Sequence, residues 1–202
     1  KGKWSLRASI TSELVLDNVF VPEVNLLPNV EGLKGPLGCL NQARYGIGWG
    51  AIGAAMNLYE VALNYSKDRQ QFGKPLSKFQ AIQQQLAIFA EECAAVNCAT
   101  LAAARSADLG DSTFEIAATK LRANRSVGAA TSIAHQVHGA IGFTKEYDLH
   151  RFTQRLWSWR SEFGNDRFWS KHLGQQVLAA KKGGFWQLVT SRSDTNTAKS
   201  TS

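Results

Sequence analysis

After Pro36 this chain of 202 residues contains only one more proline, Pro75, and from Gly38 onward it runs in long Ala-rich segments. Proline removes a backbone N–H and breaks a helix interior, so its scarcity permits long uninterrupted helices. The clearest segment carries Ile82, Leu86, Phe89, Cys93, Val96 and Leu101 at steps of three, four and five residues, one apolar stripe on one helical face. Such a face requires partner helices. The pattern predicts helices over about 38–67, 77–108, 112–138, 146–162 and 165–181, joined by short links at 72–76 and 109–112. That arrangement suits an antiparallel four-helix bundle. Asp111-Ser112-Thr113-Phe114-Glu115 supplies the third helix with an N-cap and an acidic first turn.

Ahead of the helices the texture differs. Trp4–Ile10, Glu13–Leu16 and, after the Asp17-Asn18 turn signal, Val19–Val21 read as strands. About 25 residues cannot form a stable sheet alone, because roughly three strands and a covered face are needed. The segment reads as the tail of a β domain. The expected organisation is the end of a β domain over 1–35, a helical-bundle domain over 36–190, and a Ser/Thr-rich disordered tail over 191–202. The fold class is mainly α with a short β remnant in front.

Hydrophobic residues at 44%, charged residues at 19%, 17 glycines and 4 prolines exclude collagen-like and disordered chains. The net charge of +7 is concentrated late: seven basic residues between Arg151 and Lys182 face only Glu162 and Asp166. Such a surplus admits nucleic acid, an acidic lipid surface or a phosphate-bearing cofactor or substrate, and charge alone does not choose. Cys39, Cys93 and Cys98 are odd in number, and the last two lie in a helical pattern; they read as small core residues in a reducing compartment rather than a disulfide framework. No run approaches the ~18 consecutive apolar residues of a membrane span, and Lys1-Gly2-Lys3-Trp4 lacks the apolar stretch of a secretion signal. An intracellular location is expected, cytoplasmic or mitochondrial matrix, with no membrane span.

Gly48-Trp49-Gly50-Ala51-Ile52-Gly53 matches the dinucleotide-binding pattern GxGxxG. The polar Asn41-Gln42-Ala43-Arg44-Tyr45 before it is no strand, so close helix packing accounts for the glycines better. His135 and His138 stand three apart with no third ligand at metal spacing, and read as structural. Trp157, Trp159, Phe163, Phe168 and Trp169 interleave with Arg155, Arg160 and Arg167, a mixture also found on nucleic-acid-stacking surfaces; on a bundle it reads as aromatic core with an arginine rim, and no nucleic-acid partner is expected.

Two constellations admit a ligand as well as ordinary helix capping, the better account of either one alone. Asp68-Arg69-Gln70-Gln71-Phe72-Gly73 gathers an arginine, two amides, a stacking ring and a C′ glycine at one helix end, which suits a diphosphate. Gln136 to Phe143 ends the third helix in a glycine-spaced turn, where backbone amides can approach a ligand closely. In this order, with Lys74-Pro75-Leu76 and Phe79-Gln80-Ala81-Ile82-Gln83, these motifs resemble the C-terminal half of the acyl-CoA dehydrogenases. Leu6-Arg7-Ala8-Ser9 and Asp17-Asn18-Val19-Phe20-Val21-Pro22 resemble the end of that family's middle β domain. Gly38 to Gly50 is similar in particular to glutaryl-CoA dehydrogenases, whereas Trp157-Ser158-Trp159-Arg160 differs from them.

The resemblance implies an FAD-dependent oxidoreductase that oxidises an acyl-CoA thioester at Cα–Cβ and passes electrons to electron-transfer flavoprotein. It implies a homotetramer built as a dimer of dimers. By the same resemblance Arg69, Gln71, Phe72, Gln136 and Gly139 contact FAD of a neighbouring subunit, and Arg44 lines the acyl pocket. The family's Glu-Gly-Thr base position falls on Phe163-Gly164-Asn165, and Ala43 occupies an alternative base position, which leaves Glu162 as the expected catalytic base. No metal is expected. Because most of the β domain is absent, the isolated polypeptide is expected not to retain FAD. A non-catalytic assembly domain is the competing expectation.

Overall fold

The computed structural model describes residues 2–180 and 184–194, and these are dominated by six helices. α1 spans Lys34–Asp68, α2 Gln80–Leu109, α3 Thr113–His138, α4 Leu149–Ser161, α5 Asp166–Ala179 and α6 Gly184–Asp194. The only sheet among the described residues is a two-residue hairpin, β1 (Gln70–Gln71) and β2 (Lys74–Pro75), between α1 and α2.

α3 sits at the centre and packs against α1, α2, α4 and α5. Contacts between side chains fix the helix directions. An added Cβ at Gly48 would meet Thr119, and Tyr65 stacks on His138 at 4.4 Å, so α1 and α3 run parallel. Thr119 donates to the Ala99 carbonyl at 2.7 Å and Ser126 donates to Glu92 at 2.5 Å, so α2 is antiparallel to both. Lys120 reaches the Trp159 carbonyl and His135 lies beside Thr153, so α4 is antiparallel to α3. The expected four-helix bundle is therefore present.

Small residues let α1 and α3 approach. Ala51, Ala54, Ala55, Ala123, Ala130 and Ala134 are buried in one core with Leu58, Phe89, Val96, Val127, Leu149 and Leu156. Two glycines of the GxGxxG match also permit close packing, Gly48 against α3 and Gly50 against α4: a Cβ at Gly48 would lie 2.9 Å from Thr119, and one at Gly50 2.7 Å from Trp159. Close helix packing, not a dinucleotide turn, explains this motif.

Several expectations need correction. Trp4–Ile10, Glu13–Leu16 and Val19–Val21 form no strand; the only regular element there is a 3-10 turn at Glu23–Asn25, and Ile10, Leu14, Val15 and Phe20 are exposed. The β-branched pattern is real, but strands need edge partners that this chain does not supply. Gly73 is not a helix C′ residue. α1 ends with Arg69 as its C-cap, and Phe72 (φ 51°) with Gly73 (φ 75°) forms the two-residue turn of the hairpin, the positive-φ geometry of a type I′ turn. Ser112 occupies the N-cap of α3 without a side-chain bond; Asp111 Oδ1 instead accepts from the Thr113 N–H at 3.1 Å. Of the cysteines only Cys93 is buried, its thiol pushed up to about 11 by burial and by the neighbouring Glu92 charge, while Cys39 and Cys98 are exposed. Residues 191–194, expected in the tail, belong to α6, and 195–202 lie outside the described residues.

Gly50→Ala is expected to destabilise the fold by about 1–3 kcal/mol through overpacking against Trp159, although alanine is the better helix former. Gly53→Ala, with nothing within 4 Å of the new methyl, is expected to be neutral or to stabilise by up to about 1 kcal/mol. Urea unfolding of the two variants checks the contrast.

Candidate active site and cofactor surface

The seven residues proposed from sequence fall into two sets at opposite ends of the bundle. Because α1 and α3 are parallel, their C-terminal ends meet, and with them Arg69, Gln71, Phe72, Gln136 and Gly139. Their N-terminal halves meet the α4–α5 turn, and with it Arg44 and Glu162. At 1.5 Å per residue, Lys120 and Gln136 are separated by about 24 Å along α3.

At the first end an aromatic group ties the elements together. Tyr65 of α1 stacks on His138 of α3, and Tyr147 stands 4.9 Å from the His138 ring and 6.2 Å from that of Tyr65. A carbonyl can only accept, so His138 Nδ1–H donates to the Ala134 carbonyl at 2.7 Å and Nε2 is left to accept from the Tyr147 hydroxyl at 3.3 Å. His135 stacks on Phe143, and no group of three or more metal-ligating side chains occurs among the described residues.

Around this group the polar side chains face outward. Arg69, Gln70, Gln71 and Gln136 are exposed, and the Phe72 ring at the hairpin tip is 91% exposed. Gly139 caps α3 at φ 63° with open space beside its Cα. A guanidinium, amides, an exposed aromatic ring and a bare backbone turn at one end of the bundle are groups able to take a diphosphate and a stacked base. Ala140, also exposed, follows Gly139, and its methyl narrows that approach.

At the second end the chain turns sharply between α4 and α5. Glu162 is the C-cap of α4, half-buried, and its Oε1 accepts a 2.6 Å hydrogen bond from Ser158. Phe163 (φ 56°) and Gly164 (φ 109°) make the turn, and Asn165 caps α5 by accepting from the Phe168 N–H at 3.0 Å. A side chain at Gly164 would be blocked twice over, by its positive φ and by Trp169 Nε1 at 2.5 Å from a built Cβ. Trp169 is buried, and the Arg44 guanidinium lies 5.2 Å from its ring centre and 5.9 Å from that of Phe168. Arg44, Trp169 and the turn are thus contiguous. Arg44, Ser112, Thr113, Phe168 and His172 border an open cleft of about 400 Å³.

The surroundings of Glu162 differ from the aromatic enclosure expected. Trp157 is 44% and Phe168 49% exposed, so they form a rim and not a core; Trp159 is half-buried and only Trp169 is fully buried. Arg160 does not engage Glu162: it pairs with Asp166 at 2.7 Å and lies over the Trp157 ring. The cation beside the turn is Lys120. It is 0% exposed, its Nζ donating to Asn124 Oδ1 at 2.6 Å, the Trp159 carbonyl at 2.9 Å and the Gly164 carbonyl at 3.2 Å. Burial pushes its ammonium down to about 8, opposed by the charges of Asp166 and Glu162. Sequence reading missed Lys120. Its position among Ala117, Thr119, Ala123 and Asn124, all on the buried face, was the available signal.

Comparison with known proteins places this helical bundle in a family. The family description "Acyl-CoA dehydrogenase, C-terminal domain" matches residues 31–177. The chain belongs to the acyl-CoA dehydrogenase family. Short/branched chain specific acyl-CoA dehydrogenase of Rattus norvegicus is 34% identical over 154 residues, 75% of this chain and 36% of that protein. Two structures of glutaryl-CoA dehydrogenase from Mycobacterium smegmatis, one of them in complex with FADH2, superpose with TM-scores of 0.81 and 0.80 at 38% identity. They cover 90% and 89% of this chain and 47% and 46% of their own. A glutaryl-CoA dehydrogenase in complex with glutaryl-CoA superposes with a TM-score of 0.76 at 29% identity, over 84% of this chain and 44% of its own. This chain therefore spans less than half the length of these relatives.

The imidazoles of His135 and His138 are both held below the ordinary histidine value of 6.5, chiefly by burial. As pH falls through 6.5 the unfolded chain takes up protons that the folded chain refuses, so stability is lost on the acid side and recovered above it. The urea midpoint is expected to fall between pH 7 and 5. His138→Phe, which retains an aromatic face for Tyr65, is expected to flatten that slope.

Proposed function

We propose that this chain is the C-terminal part of an FAD-dependent acyl-CoA dehydrogenase, which oxidises an acyl-CoA thioester at Cα–Cβ. The observation that carries the reading is the separation of the two sets of residues by about 24 Å of α3. One protomer then offers its Arg44–Glu162 end to its own substrate and its Arg69–Gln136 end to the cofactor of a neighbour. That division needs at least a dimer, and a dimer of dimers fits it. FAD, when bound, supplies the acceptor for the hydride that leaves Cβ.

The roles of this chain's residues follow from their chemistry. Arg69 and the amides of Gln71 and Gln136 hold the pyrophosphate by charge-assisted hydrogen bonds, Phe72 stacks on the adenine end, and Gly139 allows close backbone approach. Glu162 accepts the α-proton. Its carboxylate is kept at the helix end by the Ser158 hydroxyl, which steers one oxygen and leaves the other for the substrate. Arg44, anchored on Trp169 and Phe168, borders the acyl chain. A glutaryl-CoA-like substrate is favoured by the similarity around Gly38–Gly50, and electron-transfer flavoprotein is the proposed electron acceptor. The free thiols at Cys39, Cys93 and Cys98 suit a reducing compartment, the cytoplasm or the mitochondrial matrix.

One observation favours a second reading, a non-catalytic assembly domain: Phe163 stands where the family usually has its glutamate. The two readings separate cleanly. In the full-length protein loaded with FAD, Glu162→Gln is expected to lower acyl-CoA oxidation at least about 10²-fold, the range of a lost general base, with the flavin spectrum intact. Unchanged turnover would remove Glu162 from the mechanism. Phe72→Ala with Gln136→Ala is expected to lower flavin content instead, measured as the ratio of flavin to protein absorbance.

A further inference from the structure

Lys120 is the most deeply buried cation among the described residues, and the proposed chemistry leaves it without a task. A lysine ammonium carries three donor hydrogens, and here it meets three oxygens: Asn124 Oδ1 on its own helix, the Trp159 carbonyl at the end of α4 and the Gly164 carbonyl in the turn. Asn124 adds a second hold, donating its Nδ2 to the same Gly164 carbonyl at 3.3 Å. The two carbonyls flank Glu162, two residues on one side and three on the other. Such a site is selective: methionine would match the length but donate nothing, and arginine's planar fork is too large for a pocket built around one nitrogen.

The geometry points to Lys120, supported by Asn124, as a positioning residue that clamps the α4–α5 turn and thereby sets where the Glu162 carboxylate stands. This rests on Glu162 being the base. The clamp needs the protonated amine, since a neutral amine has two donors for three acceptors. The neighbouring charges favour that form: Glu162 and Asp166 both hold the proton on Lys120 against the pull of burial, while Arg160, the other cation here, is paired with Asp166. Ser158 fixes the carboxylate relative to α4, and Lys120 fixes the end of α4 relative to α3, so the carboxylate is held to the central helix in two steps.

The experiment compares Lys120→Met, Asn124→Ala and Glu162→Gln in the full-length protein, by amide hydrogen exchange of the peptide covering 157–169 and by steady-state kinetics with glutaryl-CoA. Lys120→Met is expected to raise exchange in that peptide at least tenfold, with α2 unchanged, and to lower kcat at least 30-fold while KM stays within threefold. Asn124→Ala, which leaves the ammonium in place, is expected to give the same pattern at three- to tenfold, and it decides the matter if Lys120→Met does not fold. Exchange at 157–169 unchanged in the variant that folds, or kcat retained while Glu162→Gln is inactive, overturns the clamp. Glu162→Gln with full turnover overturns the base assignment, and with it the positioning role, whatever the exchange data show.

Discussion

The seam between α1 and α3 is the contact on which everything else is arranged. Alanines from both helices, with Gly48 at its N-terminal end, bring the two backbones closer than larger side chains would allow. Close approach over more than four turns fixes not only distance but direction, and the direction is parallel. Two parallel helices present both their C-termini at one end and both their N-terminal halves at the other. The order of chemistry in space follows: donors and an exposed ring at the first end, a carboxylate and a guanidinium at the second. An antiparallel seam with the same residues would have mixed the two sets.

The second consequence concerns how far one chain can serve one reaction. With a span of about 24 Å between the ends, no single small reactant touches both, whereas an extended dinucleotide shared between copies of the domain can be gripped by one copy and used by another. On the proposed reading a catalytic role for this fold depends on assembly, each protomer's helical half contributing to its neighbour's site as well as to its own.

The helices were legible because their signals are local and redundant. The stripe from Ile82 to Val96 predicted a helix that the structure places within three residues at its start, and Leu86, Phe89, Cys93 and Val96 are its buried face. Leu101, counted in the same stripe, is exposed, since a run of three-, four- and five-residue steps drifts around the helix over five turns. What was not legible depends on partners elsewhere. Trp4–Val21 has strand composition without strand neighbours. The role of Gly73 was misjudged because a glycine after a helix looks the same whether it caps that helix or turns a hairpin; only the pairing of Gln71 with Lys74 tells them apart. Lys120 was missed because a lysine in a helical run, here between Thr119 and Leu121, reads as an exposed helix former. Its carbonyl partners are 39 and 44 residues away in sequence, and no short window contains them.

The α4–α5 turn shows why such a lysine is tolerated. A helix end and a glycine turn packed against a third helix expose carbonyl groups that water cannot reach, and each unsatisfied one costs about 1–3 kcal/mol. An apolar side chain from α3 would fill the space and leave the Trp159 carbonyl and Asn124 Oδ1 unpaired, with the Gly164 carbonyl held by Asn124 Nδ2 alone. An ammonium meets all three at the cost of its own desolvation, a cost reduced by Glu162 and Asp166 on the flanks of the turn. Lys120 thus resolves a packing problem and an electrostatic one with a single group, which explains why the turn can hold a carboxylate at a helix C-terminus, where the helix dipole disfavours negative charge.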